Sequence, residues 1–110
     1  MPDRAYELMV IVDQDEDDSA NEAVITKVKE MIEAEGGLVP KVDKWGRRRF
    51  AYEINHKHEG VYTVLEVSTE ATNLDSVDRF LRLADEVVRH KLIRLPDSEA
   101  VRRGLLTAAD

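Results

Sequence analysis

The order of strand-like and helix-like segments most constrains what this chain can fold into. Residues 5–12 form a short apolar run typical of a central strand, and residues 38–54 and 61–68 alternate like the two strands of a hairpin. A helical apolar stripe follows the first strand, another follows the hairpin, and residues 86–95 form a last strand-like run before Pro96. This β-α-β-β-α-β order predicts an α+β, ferredoxin-like split βαβ fold, in which a four-stranded antiparallel sheet carries both helices on one face.

Each predicted helix has an apolar stripe and start signals, which in the second helix are Thr72, Asn73 and Asp75, and the first helix also has a stop signal. Ser19 and Glu22 stand at the spacing of a capping box, and Gly36 and Gly37 follow the last apolar residue of the first helix. We expect both stripes to pack on the sheet. They consist of Val24, Ile25, Val28, Met31 and Ile32 in the first helix, and of Leu74, Val77, Leu81 and Ala84 in the second.

A chain of 110 residues is long enough for one domain with a packed core. We expect residues 1–95 to form that domain and residues 96–110 to form a flexible C-terminal tail, because so short a segment is marginal as an isolated helix. The absence of cysteine excludes disulfides and thiolate chemistry, and it fits a reducing cytoplasm. The sequence has no apolar run of membrane-spanning length and no evident secretion signal.

Positive charge is concentrated in one segment of an otherwise acidic chain. The whole sequence has 23 acidic and 16 basic residues, yet between Lys41 and Lys57 the basic residues outnumber Asp43 and Glu53. Guanidinium groups fork onto phosphate oxygens, so the segment predicts contact with RNA. An edge strand kept soluble by charge is the alternative, and composition alone does not separate the two. The basic residues are Lys41, Lys44, Arg47, Arg48, Arg49 and Lys57.

The same segment contains a glycine within a strand pattern, which usually marks a bulge or bend. We expect that irregularity at Trp45–Gly46. Because successive side chains of a strand project to opposite faces, Arg47 and Arg49 should leave one side of the sheet and Arg48 the other.

Strand parity divides the sheet into a face that packs on the helices and an open face. Leu8, Val10, Val12, Val61, Leu65 and Val67 should point toward the helices. The opposite parity defines the open face, which mixes apolar and charged groups and which only the tail is placed to cover. We predict that it is a docking surface, with a solvated sheet face carrying scattered apolar residues as the alternative. The open face consists of Glu7, Met9, Ile11, Tyr62, Val64, Glu66, Arg89 and Lys91.

The segment GRRRFAYEIN, residues 46–55, resembles the signature of the bacterial small-ribosomal-subunit protein six family, in which a glycine and basic residues precede a Leu-Ala-Tyr-x-Ile segment. YELMVIV resembles the first strand of that family, KVDKWG its approach to the glycine, and EVVRHKLIR its last strand. The resemblance covers residues 4–95, with Phe50 where the family usually has leucine.

This resemblance implies a structural ribosomal protein of the cytoplasmic small subunit, with no catalytic activity and no cofactor. Its implied partners are the central domain of 16S ribosomal RNA and the small-subunit ribosomal protein eighteen. Carried over to this sequence, RNA contact is expected first at Arg47 and Arg48 and then at Lys44 and Arg49. Tyr52, which matches the tyrosine of the signature, is interpreted as a packing residue.

The open face is then the expected surface for the partner protein. A basic partner would complement the carboxylates of Glu7 and Glu66. On this interpretation, glutamate in place of Met9 or Val64 should leave the isolated domain folded and impair docking of the partner.

Two other classes of function stay open. A single-strand RNA-binding module of the same topology would stack bases on aromatic residues of the sheet, but the strand VYTVLEV supplies only Tyr62. A small enzyme or ligand-binding subunit could instead dimerise through its sheet, and a stable homodimer without affinity for RNA would favour it.

The sequence gives no pattern for a metal site. The acidic run DQDEDD, residues 13–18, has neither the glycine at position six nor the acid at position twelve of a calcium loop. His56 and His58 lie one residue apart in a turn, but a structural zinc site needs four ligands.

Overall fold

The computed structural model describes residues 4–13, 15–54, 56–71 and 73–107, and it has the six predicted elements in the predicted order. The strands are β1 (Arg4–Asp13), β2 (Leu38–Ile54), β3 (Lys57–Thr69) and β4 (Val87–Arg94), and the helices are α1 (Asp18–Ala34), α2 (Asp75–Leu83) and α3 (Asp97–Arg102). The predicted α+β split βαβ fold is confirmed, and α3 is an addition after the last strand. None of the described helices has the length and apolar composition that crossing a bilayer requires.

The sheet is antiparallel throughout, with strand order β2-β3-β1-β4. β2 and β4 are therefore the two edge strands. Directly opposed residues of an antiparallel pair project on the same face, so the register assigns each side chain to a face. Leu8 lies opposite Leu65 on the face toward the helices, and Met9 lies opposite Val64 on the open face.

One hydrophobic core fills the space between the sheet and the helices α1 and α2, and it confirms the predicted parity of β1 and β3. Val61 has the predicted parity but is only half-buried and lies outside this cluster. The buried members are Tyr6, Leu8, Val10 and Val12 from β1, Leu65 and Val67 from β3, Val24, Ile25, Val28 and Ile32 from α1, and Leu74, Val77 and Leu81 from the α2 region.

The start of α1 differs from the prediction. Asp17 is the N-cap residue, and its carboxylate accepts a hydrogen bond of 2.8 Å from the backbone N–H of Ala20. This hydrogen bond lowers the pKa of the Asp17 carboxyl. The capping box of Ser19 and Glu22 is wrong, because an aspartate two residues earlier supplies a charged acceptor at the positive end of the helix.

The hairpin of β2 and β3 is irregular near its turn. Arg49 lies opposite Glu59 and Ile54 opposite Lys57, so five steps along β2 correspond to two steps along β3. Residues 50–53 therefore arch away from β3, and we call them the β2 arch. The hairpin connection is shorter than predicted, because β3 begins at Lys57 and not at residue 61.

The segment after β4 folds back onto the sheet at the start of β1. Ala100 and Leu105 are buried against Ala5 and Leu95 in a second, small apolar cluster. The described part of the predicted tail thus includes a helix with its own packing. The flexibility of the tail stays a prediction, and residues 108–110 lie outside the described residues.

Candidate nucleic-acid interface and sheet face

The predicted irregularity at Trp45–Gly46 is a β-bulge. Lys44 lies opposite Thr63 and Gly46 lies opposite Tyr62, which leaves Trp45 as the extra residue of β2. Gly46 has φ of +83°, a left-handed conformation that favours glycine. The bulge sets the faces on which the arginines that follow it project.

The three consecutive arginines separate between the two faces as predicted. Arg47 lies opposite Val61 and projects on the side of the helices, whereas Arg48 lies opposite Gly60 and projects on the open side. Arg49 lies opposite Glu59 and shares the side of Arg47. The basic segment thus presents two guanidinium groups on one side of an exposed edge strand and one on the other.

The basic side chains differ in the ion pairs that they form within the protein. Lys44 contacts the carboxylate of Glu22 on α1. Arg47 reaches Glu59 only at 3.9 Å, and its side chain is 60% exposed. Arg49 is exposed and has no ion-pair partner among the described residues. Arg47 and Arg49 are therefore the more available cations on the helix side.

Trp45 forms an aromatic group that the sequence did not identify as part of a site. Its ring stacks on Tyr62 with centroids 6.3 Å apart and an interplanar angle of 5°. The guanidinium carbon of Arg48 lies 5.1 Å from the centre of the indole, and Nε1 of the indole donates to Asp43 at 3.1 Å. In the sequence, the signal that could have indicated this aromatic group is a tryptophan within a largely polar strand.

The β2 arch changes the interpretation of Tyr52. This side chain is 67% exposed, so its assignment as a packing residue is wrong. Its hydroxyl lies 3.5 Å from Nη1 of Arg89 on β4, at the other edge of the sheet. Phe50 contacts Tyr62 with ring centroids 6.2 Å apart. The arch therefore leans across the end of the open face nearest the hairpin turn.

The structure brings together all eight residues predicted for the open face, in three cross-strand rows. Met9 lies between Val64 and Lys91, and this row forms the centre. The other rows consist of Glu66, Glu7 and Ile93 at one end, and of Tyr62, Ile11 and Arg89 at the other. The geometry agrees with the predicted set, whose role as a partner surface stays a prediction.

This face is less open than the sequence indicated, because chain segments cover both of its ends. The β2 arch covers the row of Ile11, which is 2% exposed, and Val64 in the central row is 6% exposed. A depression of about 220 Å³ remains between the covered ends. It is lined by Glu7, Met9, Trp45, Val64, Lys91 and Ile93.

Arg103, which follows α3, covers the other end of the face. Its guanidinium lies 3.1 Å from Glu66 and 3.8 Å from Glu7, and Nε donates to Glu99 at 2.8 Å. Arg102 and Arg103 together lower the pKa of the Glu99 carboxyl to about 2, and Glu99 in turn raises the pKa of Arg103. Glu7 and Glu66, expected to be free for a basic partner, are thus paired within the chain.

The sheet order and the two helices packed on one face place this chain in the ferredoxin-like class of α+β proteins, with an arginine-rich edge strand as its distinguishing feature. Residues 5–94 match the family model described as Ribosomal protein S6, and the chain belongs to that family. The predicted family is confirmed, and the chain is a ribosomal protein of the cytoplasmic small subunit. The matched residues end before α3.

Individual relatives agree with this assignment. The small ribosomal subunit protein bS6 of Carboxydothermus hydrogenoformans is 47% identical over 91 residues, which cover 83% of this chain and 95% of the relative. The bS6 protein of Corynebacterium aurimucosum is 43% identical over 91 residues, with the same coverage of 83% and 95%. The crystal structure of 30S ribosomal protein S6 from Thermotoga maritima has a TM-score of 0.83 at 34% identity, covering 92% of this chain and 95% of that one.

Proposed function

We propose that this protein is a non-catalytic structural component of the small subunit, which binds the central domain of 16S ribosomal RNA through β2 and the small-subunit ribosomal protein eighteen through its open face. The observation that carries the proposal is the exposed pair of guanidinium groups at Arg47 and Arg49, on the edge strand of an acidic protein. Local positive potential, rather than net charge, determines where phosphate binds. Because the chain belongs to a ribosomal protein family, ribosomal RNA is the phosphate-bearing ligand that we propose.

The contacts of the basic side chains support a revised order of RNA contact. The ion pair of Arg47 with Glu59 is long and exposed, and such pairs contribute little to stability, so the guanidinium can turn to a phosphate at small cost. Arg49 starts without an ion pair among the described residues. Lys44 must first leave Glu22, and Arg48 projects on the opposite face beside Trp45. We therefore rank Arg47 and Arg49 ahead of Lys44 and Arg48.

Replacing Arg47 and Arg49 together by alanine is expected to weaken binding to a central-domain fragment of 16S ribosomal RNA without changing the fold. If each guanidinium neutralises one phosphate, the slope of log affinity against log salt should shrink by about 1.4 to 1.8. Fluorescence anisotropy at several salt concentrations measures this slope. The matched control is Arg79→Ala with Arg82→Ala, which removes the same charge from exposed positions on α2. An unchanged slope in the β2 variant, or an equal loss in the control, would contradict the proposed RNA contact.

The open face supports docking of a protein because its central depression combines an apolar floor with charged margins. Met9 and Val64 form part of the floor, while Lys91 and Glu7 lie at the margins. A mixed surface of this kind is typical of a protein interface, where apolar contacts supply affinity and charges supply register.

Met9→Glu is expected to leave the domain folded, because this side chain is only half-buried, and to weaken binding of the small-subunit ribosomal protein eighteen by about tenfold or more. Isothermal titration calorimetry with the two purified proteins measures the affinity, and circular dichroism checks the fold. Ala23→Glu adds the same charge at an exposed position of α1 and should bind like the original protein. Equal affinities for both variants would show that the open face does not dock this partner.

A further inference from the structure

The C-terminal segment reaches the open face through a defined backbone reversal. Gly104 has φ of +77°, and the backbone N–H of Leu105 donates to the carbonyl of Ala100 at 2.8 Å. This closes the end of α3 and returns Leu105 to the apolar cluster with Ala5 and Leu95. The anchored reversal fixes the position of Arg103, which immediately precedes the glycine.

Arg103 meets two carboxylates that would otherwise repel each other. Glu7 and Glu66 are directly opposed on β1 and β3, and like charges in that position are destabilising. The guanidinium contacts both, and the Glu66 side chain is only 15% exposed. This pair of carboxylates on the sheet is therefore a built site for a guanidinium group.

The same arginine borders the surface proposed to receive the partner. A depression of about 310 Å³ lies beside Arg103 and is lined by residues of the open face and of β2 as well as by Arg102. Trp45 and Val64 line both this depression and the central one. A protein that fills the central depression would thus bring its own side chains next to Glu66 and Glu7.

We propose that Glu7 and Glu66 form a receptor for a basic side chain of the docking protein, and that Arg103 fills this receptor within the chain until the partner displaces it. The inference rests on the proposed function and adds a regulatory step to it. An intramolecular group competes at high effective concentration, so Arg103 lowers the apparent affinity for any basic partner. Ala100 and Leu105 anchor this segment on Ala5 and Leu95 and not on the carboxylates, so the arginine can leave the carboxylates while α3 stays docked.

Competition predicts that Arg103→Ala binds the purified small-subunit ribosomal protein eighteen about fivefold more tightly than the original chain. Arg82→Ala is the matched control, because Arg82 pairs with Asp78 on α2, which packs on the opposite face of the sheet, and this variant should bind like the original chain. Arg103→Lys keeps the positive charge but loses the planar fork, and it should give an intermediate affinity. Calorimetry on the full chain at one salt concentration measures all three variants, with circular dichroism as the check of folding.

The outcomes distinguish this inference from the proposed function. Equal or weaker binding by Arg103→Ala, in a folded protein that binds the partner, overturns competition by Arg103 and leaves the proposed function standing. Failure of the original chain and all variants to bind the partner overturns the proposed docking and the inference together. Tighter binding that disappears when Glu7→Gln and Glu66→Gln are added to Arg103→Ala supports the receptor.

Discussion

Val64→Glu is expected to lower the free energy of unfolding by roughly 3 kcal/mol at pH 7, since it buries a carboxylate without a designed partner. Val64 is 6% exposed and lies opposite Asp43 on β2, so the new charge would stand beside an existing negative charge. The sequence alone suggested that this substitution would leave the domain folded and comparable to Met9→Glu. The structure separates the two positions, because Met9 is only half-buried.

The loss of unfolding free energy caused by Val64→Glu should become smaller as the pH is lowered. Burial and the neighbouring Asp43 raise the pKa of the introduced carboxyl in the folded state above its value in the unfolded chain. The folded variant then binds the proton more tightly, so its deficit is fully present above the folded-state pKa and shrinks as the pH falls through it. Urea denaturation at pH 7 and at pH 4 measures the difference, with Val64→Met as the apolar control. A variant as stable as the original protein at pH 7 would contradict the burial of this position.

Gly60→Ala is expected to destabilise the protein by about 1 to 3 kcal/mol through overpacking. A Cβ atom at this position would lie 2.4 Å from Cγ2 of Ile11 and 3.0 Å from Cζ of Phe50. Ile11 is buried in the sheet and Phe50 belongs to the β2 arch, so the alanine must displace the arch or distort the sheet. Thermal and chemical denaturation measure the loss of stability.

A double-mutant cycle tests the physical cause of that loss. Ile11→Ala removes the methyl group with which the new Cβ would clash, so the double variant should be less destabilised than the sum of the two single variants. Strict additivity would show that the close approach of Gly60 to Ile11 does not limit stability.

The central part of the fold follows from the sequence because the pairing there is regular. β1 and β3 pair without a shift in register, and the predicted sides of Leu8 and Leu65 on one face and of Met9 on the other agree with that register. The bulge could be predicted as well, since a glycine interrupts an otherwise regular strand pattern. Local patterns were sufficient wherever neighbouring residues determine the conformation.

Two of the missed features, the β2 arch and the contact of Arg103 with Glu66, depend on how separate segments of the chain meet. The arch of β2 arises because four residues, 50–53, stand opposite a single residue of β3, and no periodicity marks that jump in register. Arg103 meets Glu66 across 37 positions of sequence, and nothing local indicates that α3 brings them together. Several acidic residues precede α1, and their spacing in the sequence does not show which of them is the N-cap. The structure shows that it is Asp17.

The extra residue at Trp45 decides the side of the sheet on which each arginine projects. In a strand that ran regularly through this point, Trp45 would oppose Tyr62, and every later side chain would change sides. Arg47 and Arg49 would then project onto the open face, and Arg48 alone would project toward the helices. A single inserted residue thus places three identical side chains on two different faces of the sheet, so any ligand of either face depends on the length of the strand before the arginines as well as on the arginines themselves.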